Sequence, residues 1–234
     1  SGTVTFDPAP NCEGGANGEN LYNPGASVSL RAQPSSGYQF TGWSGDITGS
    51  ANPAPISMDV ARAVTAEFTA CLSLTTSVSP AGSGTVSASP APNCQGAGAN
   101  LYNPGTAVNL TANPANNWSF KSWSGNASGS TSSTTVTINA ATSVTASFEA
   151  CVAASAAVSP AGAGTASVST APNCQGGTKY RPNSQLSITT SAASSYYLFK
   201  NWTATSGTLG NAASANTTLT VAASDATATA NYDE

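Results

Sequence analysis

Apolar and polar residues alternate with a period of two along most of the chain. Ile56, Met58 and Val60 are separated by single polar residues, and so are Val136 and Ile138. Alternation of this kind is typical of a strand that buries one face and exposes the other. No segment of helical length has apolar residues at positions i, i+3, i+4 and i+7. The pattern therefore predicts an all-β chain with little or no helix.

This pattern occurs in three copies. Each copy contains a tyrosine turn, a short apolar strand, an aromatic cluster and a closing strand that ends on an aromatic residue. The turns begin at Tyr22, Tyr102 and Tyr180, and the closing aromatic residues are Phe68, Phe148 and Tyr232. Repetition at a fixed period is the signature of a tandem array. The sequence predicts three small β-sheet modules of about five strands each; we call residues 1–70, 71–150 and 151–234 the first, second and third modules.

One alanine-rich segment is ambiguous by propensity alone. Ala153 to Ala157 would favour a helix, because alanine is the strongest helix former. The equivalent segment of the second module, Leu72 to Thr76, alternates like a strand. We therefore expect both segments to be strands.

Four of the five cysteines occupy equivalent places in the second and third modules. If the surrounding strands form an antiparallel hairpin, the midpoint between Cys71 and Cys94 falls inside the turn segment Pro80–Gly84. Cys151 and Cys174 are centred on a turn in the same way. Opposed residues of a hairpin lie within disulfide range. The sequence predicts the disulfides Cys71–Cys94 and Cys151–Cys174, each stabilising the fold by about 3 kcal/mol.

The fifth cysteine, Cys12, has no such partner. It aligns with Cys94, so a partner would lie about eleven residues before Ser1. Ser1 aligns with Ser83, which indicates that the first module lacks its opening strand, and we expect Cys12 to be unpaired or externally paired. Two explanations remain open. Either the chain is a segment of a longer array, or a strand from another chain completes the module, since an open sheet edge is a template for strand addition.

Composition excludes several function classes. The 234 residues include 6 Lys and Arg, 10 Asp and Glu and no His, for a formal net charge of −4. This balance lacks the basic footprint of a nucleic-acid-binding protein. Without histidine there is no Ser–His–Asp triad and no His-ligated zinc site. No stretch of 18 apolar residues occurs, so we expect no membrane insertion, and paired cysteines favour an extracellular location.

Four motifs recur in a fixed order: Tyr-x-Pro-Gly, Val-x-Leu-x-Ala-x-Pro, Tyr-x-Phe-x-x-Trp-Ser-Gly and Val-Thr-Ala-x-Phe. They are strong in the first two copies, whereas in the third Trp202 is followed by Thr203 and Ala204. Their order resembles the divergent internalin-B-type repeat family of bacterial cell-surface and secreted modules. The resemblance implies a small β-grasp-like module strung in tandem as a stalk, spacer or adhesive segment. It implies no catalytic residues.

Each copy has aromatic residues at the same positions. Because the modules are rich in alanine, burial of these aromatic side chains is their largest source of hydrophobic stabilisation. We predict that six of them form the cores: Trp43, Trp123, Trp202, Phe40, Phe120 and Phe199. The alternative is a platform on which carbohydrate stacks. Trp118 is the exception, because the other copies have tyrosine there and an amphipathic aromatic residue can face outward.

The acidic residues give little indication of a catalytic or metal-binding site. Asp7, Glu13, Glu19 and Asp46 occur only in the first copy. The segment from Asp7 to Glu19 contains some calcium-type ligands, but its spacing is not that of a calcium loop, so a solvated loop is the preferred interpretation. The other copies have too few acids for a paired-carboxylate glycosidase. We expect no catalytic residue, no metal and no cofactor.

These features lead to one functional prediction. The chain is expected to be a non-enzymatic, extracellular structural repeat protein. It would form a rigid rod that acts as an adhesin stalk or spacer, or as the subunit of a surface fibre assembled by strand complementation at the first module. The expected partners are further copies, neighbouring repeats, or a glycan or cell-surface molecule. The alternative is a carbohydrate- or surface-binding module that uses exposed aromatic residues and loop tips.

Overall fold

The computed structural model describes residues 1–12, 20–94, 100–174 and 176–234. Within these ranges the regular secondary structure is β-strand, and no α-helix occurs. The prediction of an all-β chain built from small sheets is confirmed. None of the described residues forms a helix that could cross a membrane.

The first module contains five strands. They are β1 (Gly2–Asp7), β2 (Ser27–Pro34), β3 (Tyr38–Gly45), β4 (Ala54–Ser57) and β5 (Val64–Ala70). β2 lies between β1 and β4, and both pairings are antiparallel. β3 and β5 form a second antiparallel sheet. Val28 and Leu30 from the first sheet and Trp43 from the second belong to one core, because each strand turns its apolar positions inward.

The second module contains seven strands. They are β6 (Leu72–Ser79), β7 (Gly84–Ser89), β8 (Leu101–Tyr102), β9 (Thr106–Pro114), β10 (Trp118–Gly125), β11 (Ser133–Ile138) and β12 (Thr142–Ala150). One sheet has the order β10-β12-β6-β8, and the other has the order β11-β9-β7. The opening strand β6 is therefore an interior strand of its sheet.

The third module also contains seven strands. They are β13 (Ala154–Ser159), β14 (Gly164–Val168), β15 (Gln185–Ala192), β16 (Leu198–Ala204), β17 (Thr208–Leu209), β18 (Asn216–Thr220) and β19 (Ala226–Asp233). One sheet has the order β13-β19-β16, and the other has the order β14-β15-β18-β17. β13 and β19 run parallel, whereas the pairs β14–β15, β15–β18, β16–β19 and β17–β18 are antiparallel. The alanine-rich segment is thus a strand from Ala154 onward, as its alignment with the second module predicts.

The strand count differs from the prediction of about five in two of the three modules. The second and third modules add an opening strand and a two-residue strand, β8 or β17, that is too short to produce an alternating pattern. The boundaries at residues 70/71 and 150/151 remain predictions. The described residues form two compact units, Ser1–Thr75 with Ala88–Asn109 and Thr135–Ser143, and Thr76–Ser87 with Leu110–Thr134 and Val144–Glu234.

The strands around each Pro-Ala-Gly turn do not form a hairpin, so that prediction is wrong. β6 belongs to the sheet of β12 and β8, whereas β7 belongs to the sheet of β9. β13 and β14 are divided between two sheets in the same way. The chain therefore passes from one sheet to the other at the turn. Two cysteines that are equally far from a turn lie opposite each other whether the flanking strands belong to one sheet or to two. The predicted cysteine pairs are therefore compatible with strands that lie in opposite sheets.

Candidate functional site

The candidate site is the free edge of β5 in the first module. β5 pairs with β3 on one side, and no described residue pairs with its other side. The equivalent strands are interior: β12 lies between β10 and β6, and β19 lies between β16 and β13. An unpaired strand edge presents a row of N–H and C=O groups that can accept another strand. The first module therefore exposes an edge that an opening strand covers in the other two.

The third module shows how an opening strand pairs at this position. β13 runs parallel to β19, with Ala157 opposite Thr229. In the second module the hydroxyl oxygens of Ser77 and Thr145 lie 2.8 Å apart. These two residues are the sequence equivalents of Ala157 and Thr229, so both modules use one register. The register at this edge is a property of the repeat.

The inward face of β5 is less covered than that of its equivalents. Val144 and Ala146 of β12 are fully buried, and so are Ala228 and Ala230 of β19. On β5, Val64 and the other inward residues are only half-buried. Because the apolar pattern is the same in all three strands, the missing neighbour accounts for the difference.

A cavity of about 740 Å³ lies beside this exposed face. Its lining includes apolar side chains from β1, β2, β4 and β5 as well as the core tryptophan. Among them are Val4, Phe6, Leu30, Ile56, Val64 and Trp43. The charged lining residues are Asp59 and Arg62, which are both exposed. An apolar groove with few charged groups suits an apolar segment of chain.

In the second and third modules, the tyrosine of the turn lies beside the start of the opening strand, on the side opposite the closing strand. Leu72 pairs with Tyr102, and Val152 forms an isolated bridge with Tyr180. The Tyr22 hydroxyl donates a hydrogen bond to the Pro8 carbonyl at 3.1 Å. The Tyr102 and Tyr180 hydroxyls donate in the same way, to Pro90 and Thr170. Burial raises the pKa of Tyr22 and of Tyr102 above the ordinary value of a phenol.

Two disulfides join the opening strands to the segments that precede the tyrosine turns. Cys71 pairs with Cys94 and Cys151 with Cys174, with Cα–Cα distances of 6.1 and 6.2 Å. These are the pairs that the spacing predicts, although the strands are not a hairpin. Cys12 is free and half-buried, and its thiol donates to Oδ1 of Asn23 at 3.1 Å.

The main chain at Cys12 makes the same hydrogen bond as the disulfide-bonded cysteines Cys94 and Cys174 of the other modules. Its N–H donates to the Leu21 carbonyl, the residue before Tyr22, at 3.3 Å. The equivalent bonds run from Cys94 to Leu101 at 3.2 Å and from Cys174 to Lys179 at 3.1 Å. The first module thus holds its cysteine beside the tyrosine turn in the same way as the modules that complete the bridge.

Successive modules are joined by direct main-chain bonds. Within the first compact unit the Cys71 N–H donates to the Gly37 carbonyl at 2.8 Å. Within the second unit the Cys151 N–H donates to the Asn117 carbonyl at 2.9 Å, and Sγ of Cys174 lies 3.5 Å from the Trp118 carbonyl oxygen. The equivalent of Asn117 in the third module is Tyr196. These junctions leave no free linker between one module and the next.

The predicted core tryptophans are buried. Trp43, Trp123 and Trp202 are at most 5% exposed. Their indole N–H groups donate to main-chain carbonyls, namely those of Ala51, Thr131 and Ser214. Of the phenylalanines, Phe120 is buried, whereas Phe40 and Phe199 are half-buried. Trp118 is half-buried, so it is the one tryptophan with a partly open ring.

The acidic residues do not assemble into a centre. Asp46 accepts a hydrogen bond from the Ala63 N–H, which joins the residue after β3 to the residue before β5. Asp7 is exposed at the end of β1, and Glu13 and Glu19 lie outside the described residues. In the part of the chain that the structure describes, no group of three or more His, Cys, Asp and Glu side chains is placed to hold a metal.

Comparison with known families assigns the repeat. A family model described as the divergent InlB B-repeat domain matches residues 3–71, 74–151 and 154–234. No curated protein and no solved structure is significantly similar to the chain. The family is one of bacterial surface-type repeat domains and is not known as enzymatic, which suggests a structural or surface role, and together with the disulfides it suggests an extracellular location. Because the three matches cover nearly the whole chain in tandem, the protein belongs to the divergent InlB B-repeat family.

Proposed function

We propose that the protein is a non-enzymatic, extracellular rod that acts as a stalk or spacer of an adhesin, or as the subunit of a surface fibre. The observation that carries this proposal is the pair of linker-free junctions. At each junction the cysteine that opens one module donates its N–H to a carbonyl of the module before it. Modules bonded directly in this way move little relative to one another, unlike modules on glycine- or serine-rich linkers.

The fibre form of the proposal rests on the first module. Its free β5 edge and the apolar cavity beside it are suited to strand addition, in which main-chain hydrogen bonds supply affinity and side-chain pockets supply specificity. A subunit that accepts a strand at one module can be joined to a second chain without unfolding either. Strand complementation at the first module is therefore the assembly step that we propose.

Small-angle X-ray scattering of the purified chain tests the rod. A compact protein of this length would have a radius of gyration of about 17 Å, and we expect a value well above this together with a strongly asymmetric distance distribution. A value near the compact figure would contradict the rod. Electron microscopy of native material then separates the two forms, because ordered filaments indicate a fibre subunit and dispersed short rods indicate a stalk or spacer.

A second candidate function is a carbohydrate- or surface-binding module. It is favoured by the partly open ring of Trp118 and by the ring of Tyr196, which is 64% exposed. Aromatic faces of this kind stack on sugar rings. Titration of a glycan panel while following tryptophan fluorescence tests it. A response that disappears in Trp118→Ala and persists in the buried-site control Trp123→Phe would support binding, whereas no response across the panel would contradict it.

A further inference from the structure

We propose that two copies of the chain associate side by side through the free edge of β11 in the second module, with the two β11 strands antiparallel about a twofold axis. β11 forms one edge of the sheet β11-β9-β7, and no described strand pairs with its outer side. This lateral contact goes beyond the proposed rod. It lies in the middle copy of the repeat and uses no residue of the first module.

The main-chain groups of three β11 residues point toward the free edge. The Ile138 carbonyl accepts a hydrogen bond from the N–H of Gly105, the residue before β9, at 2.8 Å. The main chain of Ile138 therefore faces β9. Main-chain groups of a strand point to its two sides in alternation, so those at the odd-numbered positions of β11 face outward. They belong to Ser133, Thr135 and Thr137.

In the third module the chain covers the same edge itself. β18 occupies the place of β11, and β17 pairs antiparallel with its outer side, with Leu209 opposite Leu219. The Gly210 N–H also donates to the Thr218 carbonyl at 2.9 Å. Thr218 is the equivalent of Thr135, because each lies three residues before the residue whose carbonyl accepts a hydrogen bond from the tyrosine turn. The outward groups at this position therefore bond to a strand when one is present.

In the first module the same edge is blocked. β4 is the equivalent strand by the same criterion, and Pro55, at the place of Thr135, has no N–H to donate. The next outward carbonyl, that of Ser57, accepts a hydrogen bond from Nε of Arg62 at 3.2 Å. Proline and charged side chains are common means of preventing an edge strand from pairing. β11 contains neither proline nor a charged residue.

The chemistry of β11 favours a second copy of the chain as its partner. No charged residue occurs between Lys121 and Glu149, so antiparallel pairing of two β11 strands brings no like charges together, which would oppose it. A register centred on Thr135 pairs all three outward residues. It sets Thr135 opposite the same residue of the second copy and Ser133 opposite Thr137. β11 is thus complementary to itself, as a twofold contact requires.

The main-chain hydrogen bonds of this pair are centred on Thr135. Its N–H and carbonyl would exchange two hydrogen bonds with the same residue of the second copy. The carbonyls of Ser133 and Thr137 already accept one bond each, from the Thr131 hydroxyl and the Asn139 N–H, both at 3.1 Å. A carbonyl oxygen has two lone pairs, so each of them can accept a second bond.

The exposed side chains of the three outward residues are hydroxyls. The third module shows how such side chains meet across neighbouring strands. The hydroxyl oxygens of Thr165 and Ser191, opposite each other on β14 and β15, lie 2.9 Å apart. Those of Ser167 and Thr189 lie 3.1 Å apart. Hydroxyl pairs of this kind stabilise strand pairing. Two six-residue strands bury less area than a standard interface of about 1,600 Å², so we expect a weak dimer.

Disulfide trapping in a Cys12→Ser background tests the register. In a glutathione redox buffer Thr135→Cys should form a covalent dimer, because directly opposed residues are within disulfide range. A mixture of Ser133→Cys and Thr137→Cys chains should form heterodimers, and each alone should give at least about tenfold less dimer. Thr85→Cys, at an exposed position of β7 on the other edge of this sheet, is the matched control. Equal yields from Thr135→Cys and Thr85→Cys would overturn the proposal.

Sedimentation equilibrium over a range of concentrations measures the association without a cross-link. We expect the average mass of Cys12→Ser protein to rise from one chain toward two. Thr135→Pro should weaken the dimer at least about tenfold, because it removes the central donor, and Pro55 shows that this position of the repeat accepts proline. Thr135→Lys should weaken it similarly, since it sets two like charges opposite each other, whereas Thr135→Ser should retain it. A chain that stays monomeric, or association that Thr135→Pro and Thr135→Lys leave unchanged, would overturn the proposal.

Scattering at concentrations where the chain is monomeric separates this contact from the proposed rod. An elongated monomer that gives no trapped dimer at Thr135 would leave the rod intact and overturn the lateral contact. A compact monomer that is trapped at Thr135 would contradict the rod and support the contact.

Discussion

The first and third modules carry the same pattern, yet one is closed and the other is open. In the third module β13 covers β19, and Ala228, Ala230, Leu219 and Val221 are fully buried. In the first module β5 has one neighbour, and a cavity of about 740 Å³ lies beside it. The difference teaches that one strand decides whether a module of this size has a complete core. Short modules rich in alanine have little apolar area to spare.

The largest test of this contrast is removal of the core tryptophan from each module. Trp202→Ala should lower the stability of the third module by about 4 kcal/mol, because it leaves a cavity in a closed core. Trp43→Ala should cost about 2 kcal/mol, since its core is already open on one side. Hydrogen exchange with mass spectrometry reports each module separately, and the unsubstituted modules are the internal control. Equal losses would show that the two cores are equally complete.

The second test removes the disulfide of the closed module. Cys151→Ala with Cys174→Ala should destabilise the third module by about 3 kcal/mol, because a loop of 23 residues is no longer cross-linked in the unfolded chain. Exchange at β13 and β19 measures the loss. Cys12→Ala is the matched control, and we expect it to change stability by less than about 0.5 kcal/mol. A comparable loss in the control would mean that Cys12 already contributes to the fold.

The third test makes the closed module resemble the open one. Val158→Asp places a carboxylate against the third core and should cost about 2 kcal/mol, because a buried charge without a partner is unfavourable. Protection of the β19 amides should then fall toward that of β5. Ser159→Asp, at the next and exposed position of the same strand, is the control and should leave protection unchanged. Unchanged protection in Val158→Asp would show that β13 does not hold β19.

The smallest effect concerns alkaline pH. Burial raises the pKa of Tyr22 and of Tyr102, so the folded state retains these protons more strongly than the unfolded state. The resulting stability is complete below about pH 10, the pKa of an unfolded tyrosine, and is lost as pH rises through the higher folded-state pKa. Urea denaturation between pH 8 and pH 11 should show this loss.

Two variants locate this alkaline effect. Tyr22→Phe and Tyr102→Phe should each weaken the pH dependence, because each removes one of the shifted phenols. Tyr196→Phe, which changes an exposed side chain, should leave it as it is. A stability that increases over this range would contradict the sign of the effect.

The sequence was informative where local spacing determines structure. Alternation at Val136 and Ile138 correctly predicted the strand β11, because side chains on a strand point to opposite faces in turn. The alternation at Ile56, Met58 and Val60 predicted too long a strand, since β4 ends at Ser57. The alignment of the three copies also identified equivalent strands, such as β5, β12 and β19, and among the described residues one side of β5 is unpaired. The cysteine spacing led to the two observed pairs, since both a hairpin and a crossing between sheets place them opposite each other.

The pairing of strands that are distant in the sequence could not be predicted from the spacing of residues. The parallel ladder of β13 and β19 joins residues 72 positions apart, such as Ser155 and Thr227, and nothing local in either strand specifies the other. The prediction of a hairpin failed for the same reason, because the choice between one sheet and two depends on where β12 and β19 lie. The cavity of the first module was not predicted either, because its lining comes from several strands that are distant in the sequence.

The parallel ladder also has a mechanical consequence. β13 opens the third module and β19 closes it, and six consecutive residue pairs join them. Tension applied between the two ends of the module would load this ladder in shear, so its hydrogen bonds would have to break together. Strands that are pulled apart from one end would instead separate one hydrogen bond at a time. The third module would therefore resist tension between its two ends through this ladder, whereas the described residues of the first module form no equivalent ladder.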